Sequence, residues 1–311
     1  MHHSLHDLTL RQLRALSAVA RTKSVTSAAE RLHVTQPAVT LQIGNLQARA
    51  ALPLFQRTGD GMVLTEAGEA MMLLWERVEA ALDDCGVTLD MIKGLTAGRV
   101  SIGVVSTAKY FAPFAIAAFG RAHPGIDVRL VIGNRGEIIQ ALTDFALDVA
   151  LIGRPPPELE LDKVRIGEHP HVIIAPPDHP LTRAETLAVT DLAQEIFLNR
   201  EPGSGTRALM ERVFAEAGVA PRIGMEIASN ETIKQAVMAG LGIAFLSAHT
   251  VAHELADGRL VSLPVTGLPV IRDWYVVRRV DKVLLPAGQA LVDFLSHETV
   301  RFLPPIPASG W

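Results

Sequence analysis

The stretch "SAAERLHVTQPAVTLQI", residues 27–43, reads as two short helices joined by a tight turn. Ser24 caps the first, Ala28 and Ala29 are small enough for a close helix crossing, and His33-Val34 makes the turn. Thr35 caps the second. Pro37 falls in its first turn, where a missing N–H costs nothing, and Val39, Ile43 and Leu46 form its buried stripe. Gln36, Pro37 and Thr40 are then left outward at the amino end, the end a recognition helix offers to base edges in the major groove. Upstream, "TLRQLRALSAVARTK" from Thr9 sets Leu10, Leu13, Leu16 and Ala20 on one helical stripe, with Lys23 near the end where cations suit the helix dipole.

Downstream, "LFQRTGDGMVLTEAG", residues 54–68, reads as a two-stranded wing turning at Gly59-Asp60-Gly61, with Arg57 placed to meet a phosphate. A three-helix bundle with a hairpin can also be a protein-interaction module. The whole pattern from Ser27 to Gly68, however, resembles the winged helix-turn-helix of LysR-type transcriptional regulators nearly position by position. That resemblance implies double-stranded operator DNA as partner, with Gln36, Pro37 and Thr40 as base readers and Arg31, Thr35 and Arg57 as backbone contacts. Three departures stand out: Gly44 where the family often has a basic residue, Gln47 for the usual glutamate, and Ala50-Ala51 for a Leu-Gly pair.

Charge is distributed in keeping with this. Residues 1–65 hold seven Lys and Arg against three Asp and Glu, a balance of +4, so the chain total of −4 leaves −8 on the remainder. A small basic head on an acidic body is the profile of a nucleic-acid binder with a separate non-binding module, although a solvated surface can look the same. With 311 residues, 49% hydrophobic and 20% charged, the chain is long enough for two or three globular domains. The opening "MHHSLHDLTL" lacks the pattern of an export signal, and the near-apolar run "AVMAGLGIAFLSA" falls short of the ~18 residues of a membrane helix. Cys85 is the only cysteine, which excludes an internal disulfide and fits a reducing cytoplasm. A cytoplasmic protein without a membrane span is the expectation.

From Glu66 a proline-free run keeps a seven-residue beat: Met71, Trp75, Val78, Leu82, Cys85, Leu89 and Ile92 alternate in steps of four and three. A helix packed on its own body is the alternative, and needs a wider apolar stripe. The family resemblance implies a dimerising linker here, so Trp75, Val78, Leu82, Cys85 and Leu89 are assigned to the seam of a homodimer, alone or paired into a dimer of dimers. Gly94 and Gly98 mark a hinge. The expected domains are 1–65 for DNA, 66–94 for the linker and 95–311 for an effector.

The body alternates strand and helix. "RVSIGVV", "IDVRLVIG" and "DVALIG" read as strands, with "AKYFAPFAIAAFGRAH" and "EIIQALTDFAL" as helices between them, an alternation that implies a parallel sheet. A second unit starts near "HPHVIIAPP" at His169, and "IRDWYVVRR" with "PAGQALVDFLSHETVRFL" returns to the first. The expected fold is thus a mainly α winged head and linker helix followed by a two-lobed α/β domain, lobe I about 95–168 and 269–311, lobe II about 169–268. Such a body resembles the effector domain of the same regulators, itself similar to periplasmic binding proteins. Ligands collect at the carboxyl ends of parallel strands, which here carry "STAK" (106–109), "GSGTR" (203–207) and "SNET" (229–232).

Catalytic motifs are thin. Ser106 and Lys109 spell the S-x-x-K of penicillin-binding enzymes without its K-T-G partner; "GLGIAF" lacks the third glycine of a dinucleotide fingerprint; and no phosphate-binding G-x-x-x-x-G-K-[ST] occurs. His169 and His171 have strand spacing for two zinc ligands, but no third is evident nearby. No catalytic residue, metal or cofactor is expected.

"REPGSGTR" at residues 200–207 has the glycines and following helix of an anion-binding loop. Gly203, Ser204, Gly205 and Thr206 would offer donors, with Arg200 and Arg207 as charge partners; alternatively Arg200 and Glu201 pair internally and the glycines only turn the chain. Ser106, Thr107, Lys109, Arg135 and Arg154 would face them, and Asn230, Glu231 and Thr232 would supply a second helix end. Together the cations point to an anionic ligand. Across nearly the whole chain, "STAKYFAP", "GNR", "GRPPPEL", "HPHVIIAP", "REPGSGTR" and "SNETIKQAVMAGLGIAFLSAHT" resemble the CbbR group, LysR-type activators of the Calvin-cycle (RuBisCO) operon. That resemblance implies ribulose bisphosphate, phosphoenolpyruvate or NADPH as effector candidates, and contact with RNA polymerase.

Overall fold

The computed structural model describes residues 7–92 and 98–305, which divide into compact units of residues 1–86 and 87–311. Gly94 and the boundary at 94/95 lie outside the described residues, as does the side chain of Ile92. In the first unit, α1 (Leu10–Thr22), α2 (Val25–Leu32) and α3 (Gln36–Ala50) precede β1 (Phe55–Thr58) and β2 (Gly61–Leu64), and α4 (Glu66–Ile92) begins there and runs past its last residue, Gly86. Thr9 and Gln12 close a reciprocal capping box on α1, and the Ser24 hydroxyl accepts from the Ser27 N–H at the start of α2. The buried stripe is as the spacing demands: Leu13, Leu16, Ala28, Ala29, Val39, Ile43 and Leu46 fill the centre. Leu10 departs from it. As the first residue of α1 it lies beyond the reach of α2 and α3 and stays exposed.

Thr35 occupies the cap position of α3 but makes no capping hydrogen bond, so its hydroxyl is uncommitted. The wing docks on the end of α1 through the Met62 N–H, which donates to the Lys23 carbonyl at 2.9 Å. Gly61 permits this approach: its φ is +107°, and a Cβ there would sit 2.5 Å from that same oxygen. Gln47, the departure from glutamate, accepts from the Leu54 N–H at 2.9 Å and ties the wing's entry to α3. Ala51, standing where a glycine is usual, ends α3 at φ 53° in the left-handed region. Ala51→Gly is therefore expected to stabilise the head by roughly 0.5–1 kcal/mol, read as a higher urea midpoint for its unfolding.

The linker stripe divides in two. Met71 and Trp75 are buried in the head's own core and Val78 packs against it, whereas Leu82, Cys85 and Leu89 are exposed. Trp75 is thereby removed from the proposed seam, because a side chain that fills its own domain's core has no face left for a partner; Val78 is only partly buried, at the edge of that core. The wider stripe that packing on the head needs is present at this end, where Met72 and Leu74 also pack against the core beside the heptad positions.

The second unit runs β3 (Gly98–Val105), α5 (Ala112–Ala122), β4 (Ile126–Gly133), α6 (Arg135–Thr143), β5 (Val149–Ile152), β6 (Leu161–Ala175), β7 (Ile196–Arg200), α7 (Gly205–Glu216), β8 (Arg222–Ile227), α8 (Asn230–Met238), β9 (Ala244–Ser247), α9 (Ala248–Ala256), β10 (Val261–Ser262), β11 (Val270–Arg279) and α10 (Pro286–Glu298). The main sheet has the order β10-β6-β11-β5-β3-β4, with β9 also on β6; β7 and β8 form a parallel pair joined to the region before β9 by a Phe197–Ile243 bridge. Only part of the main sheet is parallel: β3 pairs parallel with β4 and β5, but β11 runs antiparallel to β5 and β6. β5 and β6 therefore run in the same direction, and β11, arriving from far along the chain, lies between them running the other way.

Two further elements differ from the sequence reading. The helix expected from Ala108 begins as a 3-10 turn, Ala108–Tyr110, and restarts at Ala112, because Pro113 has no N–H with which to carry an α-helical hydrogen bond back to the preceding turn. The strand expected from His169 starts at Leu161, so the lobe boundary falls inside one continuous strand. β6 and β11 thus run through both lobes. Their residues alternate between cores in lobe II: Ile173 and Ala175 join Phe197, Phe214 and Phe245, while Val172 and Ile174 join Ile233 and Leu246 on the other face. Lobe I is packed around Ile102, Phe111, Phe119 and Trp274. No helix among the described residues is long and apolar enough to cross a membrane.

Candidate functional site

On the head, Arg31, Thr35, Gln36, Pro37, Thr40 and Arg57 are all exposed. Gln36 and Pro37 open α3, and the Thr40 hydroxyl donates back to the Gln36 carbonyl at 3.0 Å, which leaves its lone pairs to accept. Arg57 projects from β1 opposite Met62, one strand before the turn of the wing. A helix end carrying an amide and a hydroxyl beside a basic wing can read base edges and grip phosphates together.

In the second unit a cavity with about 430 Å³ of empty space opens between the lobes. From lobe I come Val105, Ser106 and Thr107 after β3, Arg135 at the start of α6, and Gly153-Arg154 after β5. From lobe II come Ser204, Gly205 and Thr206 at the start of α7, and the crossing strands add His169, His171 and Arg272. The amino ends of α6 and α7 thus meet here. They are also tied to each other, since the Gly136 N–H donates to the Gly203 carbonyl at 3.2 Å and Gly203 holds φ +85° against the Asn134 side chain. First-turn N–H groups and the positive ends of two helices favour an anion.

The three arginines are poised in the same sense. Among the described carboxylates none pairs with Arg135, Arg154 or Arg272; the Arg135 Nε donates to the Arg154 carbonyl at 3.1 Å. Burial pushes Arg272 down to about 10, helped by the positive charges of Arg212, Arg154 and Arg135. Arg135 is lowered too, by burial and then by Arg154, with Glu158 opposing. Crowded cations that depress one another are stabilised by an incoming negative charge.

Three of the five cations named for the effector from the sequence, Arg200, Arg207 and Lys109, lie elsewhere. Arg200 is 1% exposed and fully engaged: it grips Glu201 with Nε and Nη2 at 2.7 and 2.8 Å, Asn230 Oδ1 with Nη1, and Ser106 Oγ with Nη2 at 3.0 Å. Arg200, Glu201 and Asn230 therefore form an internal latch from lobe II to Ser106 of lobe I, and leave no charge for a ligand. Arg207 points away from the cavity, bound to Glu211 and Glu226 and to the Arg200 carbonyl, and these carboxylates raise its basicity. Glu231 and Thr232 are exposed on α8, Glu231 pairing with Lys234, which is buried against Glu254. Lys109 lies over the Tyr110 ring at 5.2 Å, while the hydroxyl of Ser106 is taken by Arg200. Gly203 shapes the loop without lining the cavity. Ser106, Thr107, Arg135, Arg154, Ser204, Gly205 and Thr206 remain at the cavity, and there Arg272, His169 and His171 join them.

The histidines are held neutral. His169 stacks on the Trp274 indole at 3.7 Å, lies 4.2 Å from the His171 ring, and has no partner on either ring nitrogen. The Trp274 Nε1–H donates to His249 Nδ1 at 3.1 Å. Burial lowers His169 well below the usual imidazole value, His171 to about 3 and His249 to about 4, with Arg272 adding to the first two. No group of three His, Cys, Asp or Glu among the described residues could hold a metal ion.

Residues 10–69 match the family described as bacterial regulatory helix-turn-helix protein, lysR family, and residues 93–299 match the LysR substrate binding domain. The chain is 52% identical to the HTH-type transcriptional regulator CbbR of Xanthobacter flavus, over 96% of this chain and 90% of that one. It is 43% identical to the RuBisCO operon transcriptional regulator of Allochromatium vinosum, over 94% of this chain and 97% of that one. The regulatory domain of Synechocystis PCC6803 CcmR, solved in complex with 2-PG, superimposes on 68% of this chain and 100% of its own with a TM-score of 0.62 and 35% identity. A winged head whose recognition helix is exposed, a two-lobed body with a basic cavity, and these matches together make the chain a member of the LysR family of DNA-binding transcriptional regulators.

Proposed function

We propose that the protein activates the Calvin-cycle CO2-fixation operon in the cytoplasm, switching on an anionic effector held between its lobes. The observation that carries the effector half is the convergence of Arg135, Arg154 and Arg272 with the amino ends of α6 and α7 on one cavity. The operon follows from relatives named as CbbR and as a RuBisCO operon regulator, and the CcmR regulatory domain with its bound 2-PG supports the same use of the domain. Ribulose bisphosphate, phosphoenolpyruvate and NADPH are the candidates. Leu82, Cys85 and Leu89, exposed along α4, form the seam of a homodimer that pairs further into a dimer of dimers and meets RNA polymerase at the promoter.

Gel shifts on the DNA upstream of CO2-fixation genes test the DNA half. Gln36→Ala is expected to weaken specific binding by ~1–3 kcal/mol while sparing non-specific binding, as for a lost base contact. Arg57→Ala should weaken binding to every sequence and flatten the salt dependence by about one charge. Equal losses on all DNA from both variants would refute the placement of the reading face.

A further inference from the structure

We propose that anion binding in the cavity is coupled to uptake of a proton by the His169–His171 pair, so that the regulator reads effector and acidity jointly. This rests on the reading of the cavity as the effector site. The geometry that carries it is the pairing of β6 with β11. His169 stands directly across from Arg272, and His171 across from Val270, so both rings and the guanidinium share one face of the ribbon and that face lines the cavity. His169 is 4% exposed and both its nitrogens are without partners. His171 is better furnished: its Nδ1 lies 3.0 Å from the His169 carbonyl. A buried imidazole with nothing to bond is a costly arrangement unless something else completes it.

Among the described residues, every titratable neighbour facing the pair is a cation or a neutral imidazole. β11 supplies Arg272 and the stacked Trp274, α9 supplies His249, the turn after β5 supplies Arg154, and the start of α6 supplies Arg135. Glu168 and Asp273, the adjacent acids, lie one strand position away and hence on the opposite face, where Asp273 is held by Arg165. With the cavity free of anion, another positive charge is disfavoured by both burial and the arginines, and the imidazoles stay neutral. An anion reverses the second term: it neutralises the arginines and lies against the rings, favouring the imidazolium, which then donates to it. The sign follows. The histidine pair has a low pKa when the site is free and a raised one when it is filled, so binding takes up a proton. Affinity is greatest below the free-state value and falls as pH rises toward the filled-state value. Because the two rings are in contact, the proton belongs to the pair.

Calorimetric titration of the full-length protein tests this, using ribulose bisphosphate, phosphoenolpyruvate and inorganic phosphate in turn, in buffers of different ionisation enthalpy between pH 6.5 and 8.0. The wild type should take up about one proton more than His169→Gln or His171→Gln, and its dissociation constant should rise more steeply with pH, by up to tenfold per unit. Protons released by the phosphate itself, whose dianion the arginines favour, are common to wild type and variants, so the difference isolates the histidines. Binding in which the wild type takes up no more protons at any pH than the ligand's own ionisation accounts for overturns the coupling whether or not the variants fold, and leaves the anion site standing. Equal uptake by wild type and both variants overturns it as well. Failure of all three probes to bind the wild type overturns the site and the coupling together.

Discussion

Arg200→Ala is expected to cost the effector domain about 3–5 kcal/mol, the penalty for removing one member of a buried ion pair and stranding the rest. The side chain it removes is 1% exposed and satisfies three partners at once, Glu201 at 2.7 and 2.8 Å, Asn230, and Ser106 at 3.0 Å. Without it, the Glu201 carboxylate, itself largely buried, is left with no counter-charge. Calorimetry should show the domain's melting temperature lowered by on the order of 10 °C. The double variant Arg200→Ala, Glu201→Ala should recover part of the loss, since it removes the stranded charge. A single variant that melted within a degree or two of wild type would show that the latch carries no more than an exposed pair does.

The latch also shows where the sequence stops being informative. The head was legible because its determinants are local. Caps at Thr9 and Ser24, small residues at the crossing and the stripe of Val39, Ile43 and Leu46 all act within a turn or two of themselves. In the body, strands and helices were legible from their periods, but the antiparallel course of β6 and β11 was not, because pairing partners lie far apart in the chain. The fate of each arginine depends on the same long-range pairing. Arg200 has the sequence neighbour that gives it away, Glu201, yet its bond to Ser106 spans 94 positions. Arg272 looked like an ordinary strand residue until its register placed it across from His169. His169 and His171 were legible as a strand-spaced pair with no third zinc ligand in view, but not as a pair lining the cavity across from Arg272, which depends on the register of β6 with β11. Trp75 shows the same limit on a helix, where the period reports a buried face but not what buries it.

Arg272→Ala should weaken binding of whichever anionic effector the cavity takes by roughly 10- to 100-fold, as expected for loss of a charge-assisted hydrogen bond worth about 1.5–3 kcal/mol. Arg272 is half-buried at the cavity and pairs with no described carboxylate, so its removal strands nothing and should leave the fold intact. Arg207→Ala is the contrasting case. Its guanidinium is committed to Glu211 and Glu226 outside the cavity, so the variant should bind anion within about twofold of wild type, as surface pairs contribute little. Titrating both variants with ribulose bisphosphate, phosphoenolpyruvate and NADPH separates the two positions. The "REPGSGTR" loop then contributes through the amino end of α7, where Ser204, Gly205 and Thr206 line the cavity, while Arg200 holds the domain together and Arg207 pairs on its surface. If Arg207→Ala lost the effector and Arg272→Ala kept it, the anion would bind on the outer face of α7 and the cavity between the lobes would not be the sensor. If the order is as expected, the same titration fixes how the signal acts. A ligand gripped by Arg135 and Arg154 from lobe I and by the α7 terminus from lobe II favours the lobe arrangement that brings these together, and it shifts that equilibrium only by its difference in affinity for the two arrangements.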